Sequence, residues 1–295
     1  MRRRPRRGLR VVLGHSDRVA RWLLYKGIAR ERFSSCSSRC YVPRVDSEDS
    51  RNETANERVI VALDFDRAEQ ALKLVTELGD AAGFYKVGLQ LLTAEGPDLI
   101  RLLIARGKEV FLDLKLHEIP TSVSRAIAVA GSLGVGMVSV HALGGSAVLR
   151  AAVEAARPFP QLRVLALTVI TSLDDAALVE LGIQGSVEDQ VLRLGRLAAN
   201  AGCHGVVASP REARILRSVL PSTLLIVTPG AQLPEAAGSD HVRVATPRSA
   251  IEGGATHLVM GRSVTGAEDP GAAFAEICRQ VELGLGDRSL VGRVG

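Results

Sequence analysis

At 295 residues the chain is long enough for one large domain or two small ones, and its 46% apolar content is that of a globular protein and not of a disordered one. No run of about 18 apolar residues occurs, so no membrane-spanning helix is expected. The net charge of +5 is unevenly held: residues 1–56 carry thirteen Arg and one Lys against six acids, a local +8, which leaves −3 for the remainder.

The basic character therefore belongs to residues 1–56 and not to the rest of the chain. This segment opens MRRRPRRGLR, has a serine-rich patch at Ser34–Ser38 and ends in the polar run DSEDSRNETAN. It shows no apolar periodicity and is expected to be a disordered extension. An organelle transit peptide, a basic arm for nucleic acid, and a leader or mis-assigned start without function are the readings open to it. No interleaved aromatics or binding motif support nucleic acid as a partner. Cys36 and Cys40 resemble half a zinc site, but no second pair lies near. With Cys203 and Cys278 they form no regular framework, so a reduced, cytoplasmic protein is expected.

From Arg58 onward, strand-like and helix-like runs alternate. The apolar or β-branched runs are VIVALDF (59–65), FYKVGLQL (84–91), EVFLDLK (109–115), MVSVHA (137–142), RVLALTVIT (163–171), GVVAS (205–209), LLIVTPG (224–230) and HLVMGR (257–262). Between them lie segments of helical spacing such as AEQALKLVTELG, SRAIAVAGSLG and AAVEAARPF, several closed by the glycine that commonly ends a helix. Eight strands alternating with helices in one domain-sized stretch predict an α/β fold, a parallel (β/α)8 TIM barrel over residues 57–286 with a short tail at 287–295. An open doubly wound sheet is the structural alternative. The GxGxxG fingerprint after the first strand is absent, which counts against a dinucleotide site.

A barrel gathers its functional side chains at the C-terminal ends of its strands. Strand by strand, those ends offer Asp64, Lys86, Asp113 and Lys115 with Glu118 in the following loop, then His141, Thr171 with Ser172, and Gly261 with Arg262. Residues two apart on a strand point the same way, so Asp113 and Lys115 are expected to share a face. Each candidate has a plainer reading. Lys86 could reach solvent past the rim, Asp64 could cap the next helix, Thr171 and Ser172 could do the same, and His141 reads better as a hydrogen-bonded structural histidine. Loops after strands 7 and 8 of such barrels often bind phosphate, and Arg262 supplies a fork of donors suited to it. The loop from Gly230 to about Thr246 has the length of a functional lid.

In order, VALDF, YKVG, FLDLKLHEIP, VHA, TVITS, VTPG and HLVMGRSVT together resemble the orotidine 5′-phosphate decarboxylase family, over about residues 57–285. The resemblance implies a homodimeric barrel that takes orotidine 5′-phosphate to UMP without a cofactor or metal. It implies that Lys86, Asp113, Lys115 and Glu118 form a charged network, with Glu118 supplied by the partner subunit. Lys115 would stabilise the C6 carbanion and then protonate it. Asp64, Lys86 and the partner's Ser122 would meet the ribose, Thr171 and Ser172 the pyrimidine, and Gly261 and Arg262 the phosphate. The chain departs from the family pattern in Glu118 for aspartate, Ser122 for threonine, Gln232 for arginine and His241 for glutamine. Gln232 can donate hydrogen bonds to phosphate but brings no charge. Two alternatives stay open: a Mg-dependent sugar-phosphate decarboxylase of the same superfamily, and a nucleotide-binding barrel that has lost turnover. Lys86 and Gln90, where those metal-dependent relatives place a ligand acid, favour the metal-free reading.

Overall fold

The computed structural model describes residues 53–233 and 245–291, with side chains as far as residue 286. Residues 1–52, with Cys36 and Cys40, residues 234–244, with His241 and most of the expected lid, and the side chains of 287–295 lie outside the described residues.

All eight apolar runs form strands: β1 Val59–Ala62, β2 Phe84–Gly88, β3 Glu109–Leu116, β4 Met137–His141, β5 Arg163–Leu167, β6 Gly205–Val207, β7 Leu225–Pro229 and β8 His257–Met260. Each pairs in parallel with the next, and β8 returns to β1, closing the barrel in sequence order. Helices follow the strands, among them Ala68–Leu78 after β1, Pro120–Leu133 after β3 and Val187–Asn200 after β5. This is the (β/α)8 architecture expected from the alternation.

The strands are buried on both faces, which is why they read as continuous apolar runs. Inward positions such as Ile60, Phe84, Phe111, Leu165, Val227 and Val259 fill the barrel interior. A fully buried side chain of this size contributes roughly 1.5–3 kcal/mol by leaving water. At Gly205 a Cβ would sit 2.6 Å from the Leu225 backbone, so only glycine permits that approach of β6 to β7.

On three adjacent strands the inward row changes character two residues further along. Phe84 is followed by Lys86, Phe111 by Asp113 and Met137 by Ser139. The apolar packing that fixes the strand register therefore also aims a cluster of polar groups at the C-terminal mouth.

The opposite end is closed by the short helix Ala55–Arg58, which leads into β1. Arg58 is buried and donates to the Thr256 carbonyl at 3.2 Å, while Glu53 lies 3.5 Å from His257 Nε2.

Candidate active site

At the mouth, four charges alternate in sign along one path. Lys86 Nζ donates to Asp64 Oδ1 at 2.8 Å and lies 3.9 Å from Asp113 Oδ2. Lys115 Nζ donates to that same Asp113 Oδ2 at 2.7 Å. Lys86 and Asp113 are each 11% exposed, whereas the Asp64 side chain is 56% exposed and that of Lys115 38%. The inner pair is thus withdrawn from water and the outer charges face the opening. Each buried charge keeps an opposite neighbour, the condition under which such burial is tolerated.

Strand alternation alone does not bring Asp113 and Lys115 together. The pairing of β3 with β4 runs Leu112 to Val138 and then Leu116 to Val140, so three residues of β3 stand against the single Ser139. Within this bulge Lys115 adopts a φ of +50°, the one positive value at a non-glycine among the described residues. Such a conformation costs roughly 1–3 kcal/mol and persists only where its surroundings hold it. Here Ser139 Oγ accepts the Lys115 backbone N–H at 2.8 Å and donates to Asp113 Oδ1 at 2.8 Å. Bulges beside active sites commonly re-aim a side chain, as this one does Lys115.

A cavity of about 340 Å³ opens over this path. Of the candidates read from the sequence, Asp64, Lys86, Asp113, Lys115, Thr171, Gln232, Gly261 and Arg262 line it. Apolar walls come from Phe111, Leu167 and Val259. Gly261 precedes the short helical turn Arg262–Thr265, which begins at the cavity edge. Gln232 is anchored by its backbone N–H to the Ala245 carbonyl at 3.0 Å, which leaves its side-chain amide uncommitted by that bond. Asp64 and Thr171 do not serve as helix caps. Asp64 pairs with Lys86, and Asp174 caps the helix Asp175–Glu180 by accepting from Ala177 N. Ser172 is exposed and outside the cavity lining.

Glu118 is exposed and makes no hydrogen bond or ion pair among the described residues. Ser122 lies in the first turn of the helix Pro120–Leu133, also away from the cavity lining. Neither joins the charged path of its own chain.

His141 makes the local contacts of a hydrogen-bonded histidine and does not line the cavity. Its Nδ1 accepts the Leu143 N–H at 3.2 Å and its ring stacks on His117 with centroids 5.2 Å apart. Burial, then the neighbouring His117 and Lys115, push its pKa down. Ser139 was not among the sequence candidates. Its signal was there: it shares the inward row with Met137, one strand away from Asp113.

A family model described as orotidine 5′-phosphate decarboxylase / HUMPS family matches residues 57–277. An orotidine 5′-phosphate decarboxylase of Nitrosococcus oceani is 47% identical over 221 residues, covering 75% of this chain and 95% of that protein. One from Moorella thermoacetica is 44% identical over 236 residues, 78% of this chain and 94% of that protein. Among solved structures, orotidine 5′-phosphate decarboxylase from Lactobacillus acidophilus superposes with a TM-score of 0.68 at 36% identity, over 75% of this chain and 97% of that one. An uncharacterized conserved protein from Geobacillus kaustophilus superposes with a TM-score of 0.67 at 33% identity, over 75% and 99%.

Proposed function

Because the chain belongs to the orotidine 5′-phosphate decarboxylase / HUMPS family, we propose that it converts orotidine 5′-phosphate to UMP and CO2, the last step of de novo UMP synthesis. The observation that carries this reading is the path Asp64–Lys86–Asp113–Lys115, set over an apolar barrel interior with Arg262 across the same cavity.

The chemistry asks for little else. When the bond from C6 to the carboxylate breaks, the electron pair stays in an in-plane orbital at C6 that the ring cannot delocalise. A fixed ammonium beside that atom stabilises the anion without a cofactor or a metal. Lys115 is that ammonium, and it then gives its proton to C6 to form UMP. Its part-exposed side chain recovers a proton from solvent. Asp113 lies beside the substrate carboxylate and holds the Lys115 ammonium in an ion pair. Lys86 holds Asp113 on its other side and, with Asp64, meets the ribose hydroxyls. Thr171, on the cavity wall, addresses the pyrimidine, and Gly261, Arg262, Gln232 and His241 the phosphate.

The same proposal has a homodimer with sites completed across the interface by Glu118 and Ser122. Three exposed apolar residues support it. Leu89, Ile119 and Leu143, at 58%, 60% and 40% exposure, follow the adjacent strands β2, β3 and β4, at the same end of the barrel as Glu118. Burying such a sector against its own copy would bring Glu118 toward a neighbouring site. A cytoplasmic location fits two free cysteines, Cys203 and Cys278, both buried. No helix among the described residues is long and apolar enough to cross a membrane.

The test is the loss of orotidine 5′-phosphate absorbance with purified protein in EDTA and without added cofactor. Conversion to UMP is expected. A folded protein that binds UMP and converts nothing would refute the assignment.

A further inference from the structure

We infer that Ser139 is a positioning residue for the Asp113–Lys115 pair, an inference that rests on the decarboxylase reading above. In the bulge of β3, the Lys115 N–H stands where the ladder to β4 is interrupted and has no carbonyl opposite it. The Ser139 hydroxyl takes it instead, at 2.8 Å. With a lone pair of Oγ so engaged, the single hydroxyl proton is directed at Asp113 Oδ1, also at 2.8 Å. One buried oxygen therefore fixes two things at once: the backbone of the lysine and the rotation of the carboxylate.

The consequence lies in which carboxylate oxygen is left for the lysines. With Oδ1 held by Ser139, Oδ2 alone faces Lys115 at 2.7 Å and Lys86 at 3.9 Å. An ionised carboxylate has no preferred rotation of its own about its last bond. Without the serine, Asp113 could turn to share both oxygens between the two ammonium groups, and Lys115 would follow it away from the reacting carbon. The positive φ of Lys115 adds to this, because relaxation of the bulge toward an ordinary strand would re-aim the whole side chain. Ser139 is fully buried and does not line the cavity, so it acts through these two residues and not on the substrate.

A positioning role separates turnover from binding. Of the contacts expected to hold ribose and phosphate, those at Asp64, Gln232 and Arg262 do not pass through Ser139, and Lys86 stays anchored by its closer bond to Asp64 at 2.8 Å. Ser139→Ala is expected to lower kcat by roughly 10- to 100-fold, the scale of an ångström-sized misplacement of a catalytic group. KM and the affinity for UMP should stay within about threefold of the parent, since uniform binding is untouched. Ser139→Thr keeps the hydroxyl and should recover most of the lost kcat. The parent enzyme is assayed in the same series. If the parent fails to convert orotidine 5′-phosphate, the decarboxylase reading fails and takes this inference with it. If the parent turns over and Ser139→Ala does so within twofold, the inference alone is overturned. It is overturned equally if Ser139→Ala loses UMP binding or its cooperative thermal transition along with turnover, or if the threonine variant is as slow as the alanine one, since those results assign the hydroxyl to the fold.

Discussion

Replacing Lys115 with alanine tests the proposed mechanism at its centre. The ammonium lies 2.7 Å from Asp113 Oδ2 and lines the cavity, and a C6 carbanion brought into contact with it would sit about 4 Å from the positive charge. At an effective dielectric of about 20, a unit pair at that distance interacts by about 4 kcal/mol. Each 1.4 kcal/mol or so is tenfold in rate, so loss of the charge alone predicts about a 10³-fold fall in kcat. The proton donor goes with it, which adds roughly a further 10²-fold or more. The fold should tolerate the change. Asp113 keeps its bond from Ser139 and its proximity to Lys86, and the Lys115 side chain is 38% exposed, so the lost ion pair is worth under about 1 kcal/mol of stability after screening. The assay is the loss of orotidine 5′-phosphate absorbance under single-turnover conditions, with UMP affinity and the thermal transition measured on the same preparation. A variant that retains kcat within tenfold of the parent would refute the role of Lys115 as the group facing the carbanion.

Other outcomes rest on the same geometry. Lys115→Ala and Glu118→Ala should each be inactive, yet mixing them should restore roughly a quarter of parental activity, because half the random dimers are mixed and each of those has one intact shared site; no recovery from verified mixed dimers would reject the shared site. Arg262→Ala should raise KM by roughly 10- to 100-fold with kcat at saturation little changed, the worth of charge-assisted bonds to a phosphate; an unchanged KM would place the phosphate elsewhere. At the closed end of the barrel, burial and then Glu53 push the Glu109 carboxyl up to about 7, with Arg163 opposing and Glu57 adding. A raised carboxyl favours the folded state fully below its unfolded pKa near 4.5, and that contribution disappears as pH climbs through about 7. Glu109→Gln should therefore gain about 3 kcal/mol on the parent between pH 4.5 and 8, the rise from 4.5 to about 7 at about 1.4 kcal/mol per pH unit, and denaturant unfolding with parallel pH profiles for the two proteins would contradict this. His257 contributes to the acid limb: burial and then Arg58 lower its pKa to about 3, so its share of stability should decline as pH falls below 6.5 toward that value.

The eight strands were legible because a parallel strand covered on both sides has to be a run of apolar residues. Their ends were not legible in the same way. The runs 59–65, 84–91 and 163–171 continue past Ala62, Gly88 and Leu167, where the ladders stop. Leu89 and Ile170 prolong the apolar pattern while standing exposed at the rim, and hydrophobicity cannot distinguish a side chain covered by a helix from one left open at a mouth. The charged positions were legible as exceptions within such runs, but their pairing was not. Asp64 and Lys86 are 22 residues apart and meet only because β1 and β2 are neighbours in register, Ala62 opposite Lys86. Alternation put Asp113 and Lys115 on one face for a reason the strand does not honour, since a bulge and a left-handed residue bring them together. Serine in MVSVH reads as an indifferent strand residue until its row is known.

That row is where sequence and site are joined. Phe84, Phe111 and Met137 pack inside the barrel, and Lys86, Asp113 and Ser139 lie two residues beyond them on the same faces. A slip of one residue in any of these strands would turn its apolar anchor out toward the helices and swing its polar group out with it. The slip is resisted by the packing of the large anchors, each worth more than about 1 kcal/mol when buried, and not by the charges, which would be better solvated outside. The barrel interior thus holds the charged path in place against the path's own preference for water, and the pairing of Lys86 and Lys115 with Asp113 offsets what remains. On this argument Phe111→Ala is a site mutation as much as a core mutation: it should loosen the geometry of Asp113 and lower kcat before it unfolds the barrel.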